Sequence, residues 1–203
     1  MSRDRYSLSF TAASLYINPS LDAAKLYLET NDWDFVKSEF IRQNMLQSRT
    51  TSALRRTTAE LIPRLQTLST AELQFFVECS PTEQGYILWI AICRRYVFIA
   101  DLTLEVIADR VATLMLTLNY ADFDAFYQSK ALQHAELDEV SDSTRKKLRE
   151  VAFRMLREAG LLTKKNDILE PMLSQKFVTE MSAGPGIGVS VLPSRYVQSM
   201  GGN

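Results

Sequence analysis

Two stretches of the chain place hydroxyl side chains at a helix start and cations within the next two turns, a combination suited to holding phosphate. The first is Ser48-Arg49-Thr50-Thr51-Ser52-Ala53-Leu54-Arg55-Arg56, and the second is Ser141-Asp142-Ser143-Thr144-Arg145-Lys146-Lys147-Leu148-Arg149. A hydroxyl oxygen ahead of an apolar periodic run accepts from backbone N–H groups that have no intrahelical partner. The same N–H groups and the positive end of the helix dipole attract an anion, and side-chain cations strengthen that attraction. A chain that builds this device twice is expected to hold a polyanion at two points.

The charge distribution agrees. Residues 49–66 carry four basic groups (Arg49, Arg55, Arg56, Arg64) against Glu60, a net +3, and residues 141–159 carry six basic against three acidic groups, again +3. Residues 67–140 hold four basic against eleven acidic groups, a net −7. The whole chain sums to −1, which argues against indiscriminate coating of nucleic acid, whereas the segregation suits a local contact. On a helical wheel Leu148, Val151, Ala152, Met155 and Ala159 share one face, and Ser143, Lys146, Lys147, Glu150, Arg154 and Arg157 share the other. That basic stripe would be roughly 20 Å long, comparable to a recognition helix in a DNA major groove. A basic face kept for solubility is the plain alternative, and for Arg55 and Arg56 it carries equal weight.

Other chemistries find less support. Gly184-Pro185-Gly186-Ile187-Gly188 lacks the Lys-Ser/Thr that follows a phosphate loop. Glu136, Asp138 and Glu139 read as a solvated acidic linker without an acid/base or metal partner pattern. His134, the single histidine, has no cysteine near it and cannot build a zinc site. Cys79 and Cys93 sit in apolar helical stretches and read as thiols of a reducing compartment. With no nucleophile and base pair, the chain is expected not to be an enzyme and to need no cofactor, metal or small-molecule substrate. The N-terminus has no apolar core of a secretory signal, and Arg94-Arg95 interrupt the longest apolar run, so a cytoplasmic protein without a membrane span is expected.

The elements that must position the cations are helical. At 203 residues and 46% hydrophobic the chain can bury an ordinary core. Residues 6–17 read as an extended arm or a first helical turn, and Asn18-Pro19-Ser20 as a break. Leu21 to Glu29 and a helix capped by Asn31 or Asp32 follow, the latter with Trp33, Val36, Phe40 and Ile41 at helical spacing. A third helix from Thr50 buries Leu54, Leu61, Leu65 and Leu68, with a kink or restart near Glu60 caused by Pro63. Ser69-Thr70-Ala71-Glu72 and Ser80-Pro81-Thr82-Glu83 are capping boxes, the second opening a helix apolar nearly all round that runs through Val97 and beyond. Helices over Thr103–Leu118 and Asp122–His134 precede the basic helix from Ser143 to Ala159, which Gly160 ends. Two strand-like runs, Leu161-Leu162-Thr163-Lys164 and Ile168-Leu169-Glu170-Pro171, around the turn Lys165-Asn166-Asp167 then predict a β-hairpin.

The expected fold is therefore mostly α, a helical bundle. Residues 1–68 form a helix-turn-helix-like N-terminal region, 69–135 a central helical core, 136–181 the basic helix with a winged-helix-like hairpin, and 182–203 a flexible tail. The candidate DNA-contacting residues are Arg49, Thr51, Ser52, Arg55, Arg56, Ser143, Thr144, Lys146, Lys147, Arg154, Arg157, Lys164 and Lys165.

Several segments also resemble a known family. Tyr6-Ser7-Leu8-Ser9-Phe10-Thr11, Asp32-Trp33, Asn44 with Arg49-Thr50-Thr51-Ser52, Arg55-Arg56 and Arg64-Leu65 are similar to the BrxA family of the BREX bacteriophage-exclusion systems. The strongest likeness lies in Ser141-Asp142-Ser143-Thr144-Arg145-Lys146-Lys147-Leu148 and Leu156-Arg157-Glu158-Ala159-Gly160-Leu161-Leu162, within a resemblance running from about residue 6 to 175. It implies a non-enzymatic, mostly helical, double-stranded-DNA-binding component of phage defence, working beside a methyltransferase, an ATPase and other BREX proteins. The competing expectation is a scaffold whose basic faces dock acidic surfaces of those proteins. RNA binding ranks lower, because no aromatic stacking platform is evident.

Overall fold

Side-chain caps start the helices close to where the sequence places them. The computed structural model describes residues 5–12 and 14–195. Helix α1 (Ile17–Thr30) is followed by α2 (Trp33–Arg42), whose cap Asp32 accepts from the N–H groups of Asp34 and Phe35. Helix α3 (Thr51–Leu65) is capped by Thr50, and α4 (Thr70–Glu78) and α5 (Pro81–Arg95) begin at the capping boxes of Ser69 and Ser80. Every residue of α5 from Gln84 to Cys93 is buried, as a helix apolar all round requires. No helix among the described residues is long and apolar enough to cross a membrane.

Two proline expectations are corrected. Asn18 and Pro19 make no break; they lie in the first turn of α1, where a missing N–H costs nothing. Pro63 brings no restart, because α3 is continuous through it and ends two residues later, confining the lost hydrogen bond to the last turn.

The central helix is shorter than expected. Tyr96 is extended (φ −125°, ψ 97°) and fully buried, and its hydroxyl donates to Glu60 of α3. The chain then runs through α6 (Val97–Asp101), a π-helical segment Leu102–Ile107 and α7 (Ala108–Ala112). Helices α8 (Tyr120–Ala131), α9 (Ala135–Asp138) and α10 (Asp142–Glu158) follow, then α11 (Gln175–Ala183), with 3-10 turns at Ser9–Ala12 and Val189–Val191.

In place of the expected two-stranded hairpin, two isolated antiparallel bridges are present, Leu162 with Ile168 and Thr117 with Asp167. Three short segments, 161–163, 167–169 and 116–118, thus lie side by side with the middle one between the others. Their inward side chains, Leu118, Leu162 and Ile168, are buried.

One buried cluster runs from Tyr6 to Leu192. Helices on both sides of the expected boundary at residues 68 and 69 pack together, α1 on α4 and α3 on α5. The N-terminal arm belongs to this core. Tyr6 stacks on His134 at 4.0 Å, and its N–H donates to Glu136 at 2.7 Å. The stretch from Ser182, expected to be loose, is packed as far as Arg195: Val191 and Leu192 are buried, and Arg195 pairs with Glu170 at 2.7 Å. Residues 196–203 of that stretch lie outside the described residues.

The pair that ties this tail down is Arg94 with Glu72, whose side chains are 5% and 1% exposed. The guanidinium donates to both carboxylate oxygens, at 2.7 and 2.9 Å, and to the carbonyls of Thr67 and Ile187 at 3.1 and 2.7 Å. Glu72 also accepts the Ser69 N–H at 2.8 Å as the capping-box partner. Gly184 lies so close that a Cβ there would stand 1.9 Å from Glu72 Oε1. Truncating one member strands the other charge in the interior, which costs about 3–5 kcal/mol. Arg94→Ala is therefore expected to lower unfolding free energy by that amount in urea titrations, and a loss below about 1 kcal/mol would contradict this role.

Candidate nucleic-acid interface

The cations singled out by sequence divide into two groups: those held by the fold and those standing in solvent. On α10 the N-cap Ser141 accepts the Thr144 N–H at 3.3 Å, and its hydroxyl lies 3.0 Å from those of Ser143 and Thr144. The cap occupies the first turn with a hydroxyl cluster. Lys146 and Lys147, one turn on, are exposed. Lys146 makes no ion pair among the described residues, and Lys147 approaches Glu150 only at 3.9 Å, with both side chains more than half exposed. Such a pair contributes little.

The arginines of the same helix have structural duties. Arg149 is bound to Asp124 of α8 and lies 4.5 Å from the centroid of the Tyr120 ring. Arg145 pairs with Asp142 at 3.0 Å and lies 5.7 Å from the Tyr127 ring. Arg154 has Glu158 at 4.0 Å. Arg157, expected on the solvent face, is turned onto the protein instead: it donates to Asn166 Oδ1 at 2.6 Å and lies over Phe153. Its function is to hold the turn after α10, which removes it from the set of free cations.

That turn is built with care. Gly160 has φ +73°, its N–H donates to Arg157 and the Leu161 N–H reaches back to Leu156, a Schellman end that redirects the chain. Thr163 Oγ1 accepts from the N–H groups of Lys165 and Asp167 at 3.1 and 3.0 Å. Lys164 and Lys165 are left at the tip, exposed and without an ion pair among the described residues. Glu158 anchors the other side of the helix end by accepting from Ser14 Oγ and the Leu15 N–H at 2.7 and 2.6 Å.

The first basic stretch sorts likewise. Thr50 is the cap of α3, and Thr51 and Ser52 stand exposed in its first turn with Arg55 and Arg56 one turn on. Arg49 is exposed in the preceding bend, which Asn44 closes by bonding both the N–H and the carbonyl of Ser48. Arg49, Arg55 and Arg56 make no ion pair among the described residues. Arg64 is different: counted among the basic groups of this stretch, it is 4% exposed and donates to the Ser14 carbonyl. Ser9–Ala12 packs on both α3 and α10 and so lies between the two basic elements.

Lys25 on α1 and Lys37 on α2 are also exposed, and the sequence pattern did not mark them because each stands alone. The acidic middle of the chain is largely consumed by internal partners. Asp122 is held by Arg110 at 2.5 Å, and Lys130 bridges Asp101 and Glu105 at 3.3 and 2.5 Å. Burial lowers the Lys130 pKa, but the two carboxylates outweigh it and hold the ammonium above its ordinary value. Cys79 and Cys93 are free thiols; burial pushes Cys79 up to about 12 and Cys93 higher still, so neither is a ready nucleophile near neutral pH.

The profile of the BrxA family matches residues 4–183. The chain belongs to that family. It is thereby placed in BREX phage defence. Among solved structures, an uncharacterized protein from Magnetospirillum magneticum has the same fold: TM-score 0.74 at 21% identity, covering 89% of this chain and 93% of that one. No curated relative matches the chain.

The division of cations has a direct test. Arg157→Ala removes a partly buried hydrogen bond and ring contact and is expected to lower stability by about 1–2 kcal/mol. Lys146→Ala is expected to stay within about 0.5 kcal/mol of the parent. Equal effects in thermal or urea unfolding would contradict the sorting.

Proposed function

We propose that this BrxA-family chain is a non-enzymatic double-stranded-DNA-binding component of its BREX system, acting in the cytoplasm. The observation that carries the reading is that Lys146, Lys164 and Lys165 make no ion pair among the described residues and Lys147 meets Glu150 only in an exposed pair at 3.9 Å, while Arg149 and Arg157 tie that helix to α8 and to the turn that follows it. Side chains kept long, charged and without an internal partner are available to neutralise phosphates.

The element order supports a winged-helix-like reading of the C-terminal part. The run Val97–Ala112, the segment 116–118, α8, α10, and segments 161–163 and 167–169 follow one another as helix, strand, helix, recognition helix and a very short wing. Helices α2 and α3, joined by residues 43–50, form the helix-turn-helix-like pair that presents Arg49, Thr51, Ser52, Arg55 and Arg56. Most of these contacts are to phosphate, so sequence preference is weak.

Binding through about five phosphates gives a slope of roughly −4 to −5 for log affinity against log salt. Lys146→Glu with Lys147→Glu should weaken duplex binding and reduce the slope by about two. Anisotropy titrations at several salt concentrations read both quantities. A flat salt dependence, or unchanged affinity in the double variant, would overturn the proposal. Retention of protein partners after nuclease treatment, without duplex affinity, would favour the scaffold reading.

A further inference from the structure

The stripe of α10 that faces away from the core carries a carboxylate at its centre. At about 100° per residue, the buried Leu148, Val151, Ala152, Phe153, Met155 and Leu156 average to a direction opposite Glu150. Lys146 and Lys147 flank Glu150, about 40° to one side of it and about 60° to the other, and all three are exposed. Ser143 stands within about 20° of the same centre line, roughly two turns nearer the N-terminus.

The other two acids of this helix have structural partners. Asp142 pairs with Arg145 at 3.0 Å, and Glu158 accepts from Ser14 and Leu15 at 2.7 and 2.6 Å. Glu150 has only Lys147 at 3.9 Å among the described residues, an exposed contact that contributes little to the fold. A carboxylate at the centre of a phosphate-binding face is a liability unless the DNA gives it a donor. The backbone of a DNA duplex offers acceptors alone, so a carboxylate turned toward phosphate is repelled.

The major groove supplies donors of two kinds, the exocyclic amines of cytosine and adenine. Adenine sets its N7 acceptor beside its amine, where the second carboxylate oxygen would meet it. Cytosine presents its N4 amine without such a neighbour. With the helix in the groove, the ammonium groups on either side of the centre line reach phosphates, and the centre line faces the base edges.

We infer that Glu150 is the specificity-determining residue of the duplex contact, its carboxylate accepting from the N4 amine of a cytosine while Lys146 and Lys147 hold the flanking phosphates. This role rests on the duplex-binding reading and refines it. It places one preferred base pair within a contact otherwise directed at phosphate, in keeping with a weak overall preference.

The test is selection of bound duplexes from a randomised pool by the full chain at low salt, followed by anisotropy titrations on duplexes that differ at the selected position. A C·G pair should be enriched, with affinity at least about fivefold above the other pairs at that position. Glu150→Ala should abolish the enrichment while keeping or raising affinity for unselected duplex, because it removes a negative charge from the phosphate-binding face. Glu150→Gln should move the preference to adenine, whose N6 and N7 match an amide. The Glu150 side chain is exposed, and matching thermal unfolding would show that both variants fold. Duplex binding with the expected salt slope, but with no base preference or one that neither substitution alters, would overturn the inference and leave the duplex reading standing. Absence of duplex binding at low salt would overturn both.

Discussion

Arg94 and Glu72 hold together parts of the chain that are distant in sequence. The carboxylate closes the cap of α4 and receives a two-pronged guanidinium from the end of α5, which in turn binds the carbonyls of Thr67 and Ile187. The loop into α4, the central helix and the C-terminal segment are thus fixed by one buried ion pair. Such a pair is costly to desolvate, and an apolar replacement could be as stable. What the pair supplies is geometry: five hydrogen bonds with fixed directions leave one way for the tail to cross the core. The buried α5, set in this frame, supports the helices that present charge to solvent.

The same logic governs the charged surface. On α10 arginine serves where the fold needs directional bonds or a ring contact, as at Arg145, Arg149 and Arg157. On that helix and the turn after it, lysine serves where a flexible, hydrated charge reaches into solvent, as at Lys146, Lys164 and Lys165. The difference is chemical: a planar guanidinium is preorganised for paired bonds and stacking, whereas an ammonium is a point charge on a mobile stem. A chain with net charge −1 can then show a basic element because its acids are engaged elsewhere, Asp124 by Arg149 and Asp122 by Arg110.

Much of this was legible in the sequence, for local reasons. The capping boxes at Ser69 and Ser80, the cap at Ser141, the left-handed Gly160 and the apolar face of α10 depend on neighbours within a turn or two. The misses are tertiary. Nothing near Tyr96 breaks a helix; the break follows from its burial and its bond to Glu60, 36 positions away. The Gly- and Pro-rich stretch after Ser182 reads as loose until Arg94 and Glu72 are seen to receive it. The helix α11 and the burial of Val191 and Leu192 were missed for the same reason. The hairpin was foreshadowed by its turn residues, but segment 116–118 pairs with it from far upstream, leaving single bridges in place of a ribbon. Among the candidate contacts, a helical wheel put Arg157 outward because it takes no account of Asn166 in the following turn.

The central claim is that the exposed lysines of α10 and its following turn meet the DNA backbone while the lysines of α1 and α11 do not. Lysine-reactivity footprinting, in which each ammonium is acetylated with and without saturating duplex at low salt, tests it at the level of single residues. The account predicts protection of Lys146, Lys147, Lys164 and Lys165, with Lys25 of α1 and Lys176, exposed on α11 with Glu78 at 3.9 Å, as reactive in the complex as in the free chain. Unchanged reactivity at the first four, or protection confined to Lys25 and Lys176, would contradict it.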